Sequence, residues 1–209
     1  MIYSIKDKNL YKIEDEAARE IYYGSNQDWY GKRWQRLSGC GPSAVANVIY
    51  YLSRTREKQD SYPALTKEEC LAFMNEIWNY VTPSFGGVSS TAMLCKGMNS
   101  YLKEKNLNIQ MDSIDIPKKK SLRPDVKQVL QFIMDALKKD SPVTFLNLEH
   151  GTILELESWH WVTIVSLEYE TDGSTAFVEI LDGGLLKRID LLQWLNTTKL
   201  GGGFVSFEQ

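Results

Sequence analysis

The chain is poor in the residues from which metal centres and disulfide scaffolds are built: 209 residues include only three cysteines and two histidines. Cys40, Cys70 and Cys95 make an odd count without a Cys-x-x-Cys pair, which argues against a disulfide framework and a zinc ribbon. His150 and His160 do not form a His-x-x-x-His metal pair either, so no metal is expected, and a reducing compartment fits best. No stretch approaches the roughly 18 consecutive apolar residues of a membrane span, and the opening MIYSIKDKNLYKIEDEAARE has no apolar signal core. The chain as it stands is therefore read as cytoplasmic, or as secreted or surface-exposed if a signal segment has been removed. A strong charge of either sign is missing too: 24 Lys and Arg against 27 Asp and Glu leave −3, which offers no basic field for nucleic acid. The local run of Lys118 to Lys120, between Pro117 and Ser121, reads as a solvated loop. Repeats and low-complexity segments are absent.

What is present suffices for one sizeable core: 43% of residues are hydrophobic and 11% aromatic. Residues 1–37 read as irregular, with a short amphipathic helix near Glu14–Tyr22. Ala44, Val45, Val48, Ile49 and Leu52 fall at the spacing of a buried helix, and Pro42 suits its first turn. Thr66 and Glu69 predict a capping box at the start of a second helix. Thr91–Lys105 and Arg123–Lys139 predict two more. The pattern then changes to β-branched and apolar runs at Val143–Leu148, Trp161–Tyr169, Ala176–Leu181 and Lys187–Ile189, followed by a short helix at Leu191–Asn196 and a closing strand in GGGFVSF. Helices first and strands afterwards give an α+β class in one domain, 1–209, mainly helical over 1–140 and mainly sheet over 141–209.

One cysteine stands apart. Cys40, in SGCGPSAVANVIYYL, lies between two glycines at the mouth of a helix, not inside its apolar run. The positive end of the helix dipole and the unpaired N–H groups there favour a thiolate, the nucleophilic form, and could later hold an oxyanion. Gly39 and Gly41 are expected to clear space for a substrate backbone; the competing reading is a buried helix-start cysteine with turn-shaping glycines. Cys70 and Cys95 lie inside helical patterns as core positions. Of the histidines, His150 sits beside Gly151 in a polar loop, whereas His160 opens the apolar strand HWVTIVSLEY between Trp159 and Trp161. Asp182, in ILDGG, ends the next strand, so antiparallel pairing places it near His160. Its competing reading is an ordinary Asp-Gly turn.

Cys40 in GCGPSA, His160 in WHWVTIV and Asp182 in ILDGG, in that order, resemble the papain-like cysteine peptidases, and most closely their bacteriocin-processing, double-glycine-leader branch. The resemblance spans about residues 34–184. It implies the papain-like fold, with a helical lobe packed against an antiparallel sheet lobe, and a Cys-His-Asp triad that cleaves an amide of a peptide or protein substrate through an acyl-enzyme, without cofactor. It also implies a glutamine upstream of the cysteine as oxyanion donor. Gln35 is the matching position, although its gap to Cys40 is one residue shorter than is usual in the family. An acyltransferase or transpeptidase would use the same triad, and a binding module could retain the fold without activity. Oligomeric state is not legible.

Overall fold

The computed structural model describes residues 1–56 and 63–208. Its first segment is strand where a helix is expected. β1 (Ile2–Ser4) is followed by β2 (Lys12–Asp15) and β3 (Glu20–Tyr23), which pair antiparallel as a hairpin. The stretch EDEAARE has no apolar stripe for a helix to bury. The strand alternation instead buries Ile13 and Asp15, and Asp15 is met by Lys67 Nζ at 2.7 Å.

α1 (Arg33–Ser38) precedes α2 (Cys40–Arg56) with only Gly39 between them. α2 buries all five residues of its expected face, and Ala46 and Tyr51 as well, because it is enclosed from more than one side. The short β4 (Leu65–Thr66) adds parallel to β2 and leads into α3 (Lys67–Trp78). The Thr66–Glu69 capping box is formed in both directions. α4 (Thr91–Glu104) comes next, capped by Ser90. β5 (Gln110–Ile116) has no signal in the sequence: it is mostly polar because it is an edge strand with one neighbour. α5 (Val126–Lys138) buries Val129, Leu130, Ile133 and Leu137 of the face its periodicity predicts, and Val126 of that face is half-buried at the helix start.

The remaining elements lie where the β-branched runs place them: β6 (Val143–Asn147), β7 (His160–Tyr169), β8 (Ala176–Asp182), β9 (Leu185–Asp190), α6 (Leu191–Thr197) and β10 (Gly202–Glu208). They join in one antiparallel sheet of order β5-β10-β6-β7-β8-β9, and β1 extends the β6 side of β7. Two of its seven strands thus come from the first 140 residues, so the helical and sheet lobes interleave in sequence. The class is α+β, helices packed against an antiparallel sheet.

The sheet is anchored by an aromatic cluster. Phe145 stacks on Phe204 with ring centroids 4.7 Å apart, and Trp194 from α6 meets Phe145 edge-on at 4.6 Å. Trp194 Nε1 donates to Asn147 Oδ1 at 2.9 Å, and Asn147 stands opposite His160 in the β6–β7 pairing. The cluster therefore fixes the strand end that carries the histidine. Truncating the fully buried Phe204 to alanine is expected to cost ~3–5 kcal/mol. Urea unfolding of Phe204→Ala checks this, and a loss under ~1 kcal/mol would mean that the cluster is not the anchor described.

Candidate active site

Cys40 is the first residue of α2, and its position is set by packing on both sides. A Cβ at Gly39 would lie 2.5 Å from the Gln35 carbonyl oxygen and 2.5 Å from the Tyr30 ring. One at Gly41 would lie 2.8 Å from Val88 Cγ2. The two glycines thus let the α1–α2 junction seat against Tyr30 and Val88, a packing role in place of the expected substrate clearance. Val88 is itself tied down, because its carbonyl accepts from Trp161 Nε1 at 2.6 Å. Cys40 is buried, with 8% of the residue exposed, and its thiol donates to the Trp159 carbonyl at 3.9 Å. Trp159 adopts a left-handed φ of +59°, an unusual conformation for a bulky residue, and the chain enters β7 directly after it.

The sheet register supplies the next two groups. Thr163 stands opposite Leu181 in the β7–β8 pairing, so His160 and Asp182 are diagonal neighbours on one face. His160 Nε2 donates to Asp182 Oδ1 at 2.7 Å, which leaves Nδ1 as the ring nitrogen for Cys40. Both residues are buried, at 8% and 7% exposure. Burial alone would pull the imidazole's pKa down. Hydrogen bonds donated to Asp182 and to the Cys40 sulfur, with the charges of those groups, override it and push His160 up to about 10. Burial also opposes ionisation of Asp182, but His160 and Lys187 outweigh it and hold the carboxyl below its usual range. Lys187 Nζ donates to Asp182 Oδ2 at 2.7 Å.

These groups line one open cleft of about 510 Å³, together with Ser25, Gln27 and Asn47. Asn47 of α2 holds the cleft's far wall: its Oδ1 accepts from Ser25 N at 2.8 Å, and its Nδ2 donates to Thr163 Oγ1 at 3.3 Å. Ser25 Oγ also donates to the Ser43 carbonyl at 2.8 Å. Two residues on, Gln27 carries a buried side-chain oxygen with no hydrogen-bond partner.

The structure brings Cys40, His160 and Asp182 together and places Gln35 elsewhere. Gln35 lies on α1 outside the cleft and donates from Nε2 to Asn75 Oδ1 on α3 at 3.2 Å. The glutamine that faces the cleft is Gln27, 40 − 27 = 13 residues before the cysteine. Its spacing hides it: α1 has too little apolar patterning to reveal that a helix fills the gap. Lys187 is hidden in the same way, since only the β8–β9 register brings it to Asp182. His150 lies outside this cleft. Burial raises the Cys70 thiol to about 12 and also raises that of Cys95, so both are poor nucleophiles. Among the described residues no group of three His, Cys, Asp or Glu side chains is placed to hold a metal ion.

No protein-family model matches the chain, and no curated protein matches it by sequence. Among solved structures it is similar to UfSP from C. elegans, at a TM-score of 0.55 and 12% identity, over all of this chain and 34% of that one. The chain thus spans about a third of the length of that neighbour. At this identity the likeness is one of fold, and it is the papain-like α+β fold.

Proposed function

We propose that the protein is a papain-like cysteine peptidase that hydrolyses an amide bond of a peptide or protein substrate. The observation that carries this reading is the imidazole of His160 held between the Asp182 carboxylate and a cysteine that starts a helix, all in one cleft. The fold likeness to UfSP agrees with it. The motifs GCGPSA and HWV make the bacteriocin-processing branch the finer assignment.

In this mechanism the Cys40 sulfur attacks the scissile carbonyl carbon and the carbonyl oxygen takes up negative charge. In this reading the backbone N–H groups of Cys40 and Gly41, at the start of α2, meet that charge, where the helix dipole is also favourable. The side-chain donor we assign is the Gln27 amide, turned so that Nε2 faces the cleft, in place of Gln35. As the intermediate collapses, the C–N bond breaks and His160 Nδ1–H gives its proton to the departing amine. Water then attacks the thioester carbonyl, His160 takes its proton, and the C–S bond breaks to release the acid and the thiolate, which restores the starting thiolate–imidazolium pair. Asp182 keeps Nε2–H oriented throughout, which fixes Nδ1 as the working nitrogen. No cofactor is required by these steps.

Three outcomes follow. Cys40→Ala should abolish cleavage of a peptide-library substrate, by about 10³-fold or more, with an unchanged fold by circular dichroism. Turnover at the wild-type rate would end the nucleophile assignment. Gln27→Ala should lower kcat by about 10²-fold while KM changes little, because the contact forms with the developing oxyanion; an equal loss from Gln35→Ala would reverse the choice of donor. The imidazolium that serves as acid persists to about 10, so the alkaline limb of kcat/KM should lie far above the free imidazole value of 6.5. A limb near neutral pH would show that Asp182 does not hold the proton on His160.

A further inference from the structure

The carboxylate of Asp182 has two partners, and only one of them belongs to the triad. Oδ1 accepts from His160 and Oδ2 from Lys187, each at 2.7 Å. The second contact is built by the hairpin. β8 and β9 are joined by Gly183 and Gly184 alone, at φ of +60° and +79°, the two left-handed residues that a type I′ turn requires. Asp182 then stands opposite Leu185, and Lys187, two residues on, is its diagonal neighbour on the same face. The lysine side chain is 33% exposed and lines the same cleft as Cys40.

A carboxylate that gives its whole charge to an imidazolium makes that imidazolium reluctant to release its proton to a leaving group. A cation on the other oxygen draws part of that charge away. We propose that Lys187 is a positioning residue: it fixes Asp182 in line with His160, and its charge sets the pH range in which the Cys40–His160 pair is reactive. The proposal rests on the triad reading above.

The charged and titratable groups facing the pair come from five places. They are Cys40 on α2, His160 on β7, Asp182 and Lys187 on the β8–β9 hairpin, Asp28 beside Gln27, and Glu157 before β7. Asp28 and Glu157 are exposed, so solvent screens them. Lys187 is the one lysine or arginine among the described residues that line the cleft. A nearby positive charge makes every proton beside it leave at lower pH, so deleting that charge moves each ionisation of the pair to higher pH.

The test needs no knowledge of the natural substrate. The rate of Cys40 alkylation by iodoacetamide is followed against pH by peptide mass mapping in the wild type, Lys187→Met, Lys187→Gln and Lys187→Arg. Lys187→Met and Lys187→Gln should shift the onset of alkylation upward by about 0.5 pH unit or more. Lys187→Arg should keep the wild-type profile, since it restores the charge. Either neutral variant suffices if the other does not fold. An unshifted onset, a uniform drop in rate without a shift, or an equal shift in Lys187→Arg would overturn the proposal. Peptide hydrolysis measured alongside separates the two readings. A shifted onset in a protein that cleaves no amide supports the role of Lys187 and removes the peptidase assignment. Cleavage with an unshifted onset does the reverse.

Discussion

A buried carboxylate must be neutralised where it stands, and the site is arranged around this requirement at Asp182. Taking an ion of this size out of water costs several kcal/mol even after the protein relaxes. Both oxygens are accordingly occupied, by His160 and by Lys187. The consequence is a stability window with two edges. Asp182 has its pKa depressed, so its contribution is present above the unfolded carboxyl value and is lost as pH falls through the folded one. His160 is raised from 6.5 to about 10, so its contribution is complete below 6.5 and disappears as pH rises through about 10. The pair is thus held together across the range in which the proposed chemistry would run.

That ion pair lies wholly on the sheet, whereas the thiol lies on a helix, so reactivity depends on the seam between them. Asn47 Nδ2 to Thr163 Oγ1, Thr163 Oγ1 to the Ala44 carbonyl, and Trp161 Nε1 to the Val88 carbonyl cross or flank it, in addition to the thiol's own bond to the Trp159 carbonyl. The first two join α2 to β7 directly. The third draws the 83–90 loop onto the helix start, where Gly41 has no side chain to keep Val88 away. Buried polar contacts of this kind add little net stability apiece, roughly 1 kcal/mol, but they admit one register. A slip of a single residue in β7 would turn His160 to the other face of the sheet.

How far this was legible in the sequence follows from which interactions are local. The helix of Cys40, the Thr66–Glu69 box, the face of α5 and the strands from Val143 onward announce themselves through periodicity and capping. The proximity of His160 and Asp182 was legible too, because one hairpin connects them. β5 was not, since a polar edge strand carries no apolar alternation. Nor were β2 and β3, whose charged segment looks like a helix surface until burial of Asp15 against Lys67 is known. The two glycines beside Cys40 were read as openings for a ligand. They are openings for Tyr30 and Val88, tertiary neighbours that no local pattern names.

Gln27 is the clearest case of distance in sequence concealing closeness in space, and the chain between it and Cys40 explains how. That chain is a closed loop. At one end Ser25 is fastened to α2 through the Asn47 amide and the Ser43 carbonyl. In the middle the Arg36 guanidinium donates to the carbonyls of Tyr30 and Gly31 at 2.8 and 2.9 Å, folding α1 back on the turn that precedes it. At the other end the Tyr30 ring fills the space that Gly39 leaves, while its hydroxyl donates to the Met74 carbonyl at 3.2 Å. With both ends pinned to the same helix, the 13 residues from Gln27 to Cys40 return to their starting point. Helix α1 therefore projects away from the cleft and takes Gln35 to α3, and the side chain left facing the thiol is the one that precedes the loop.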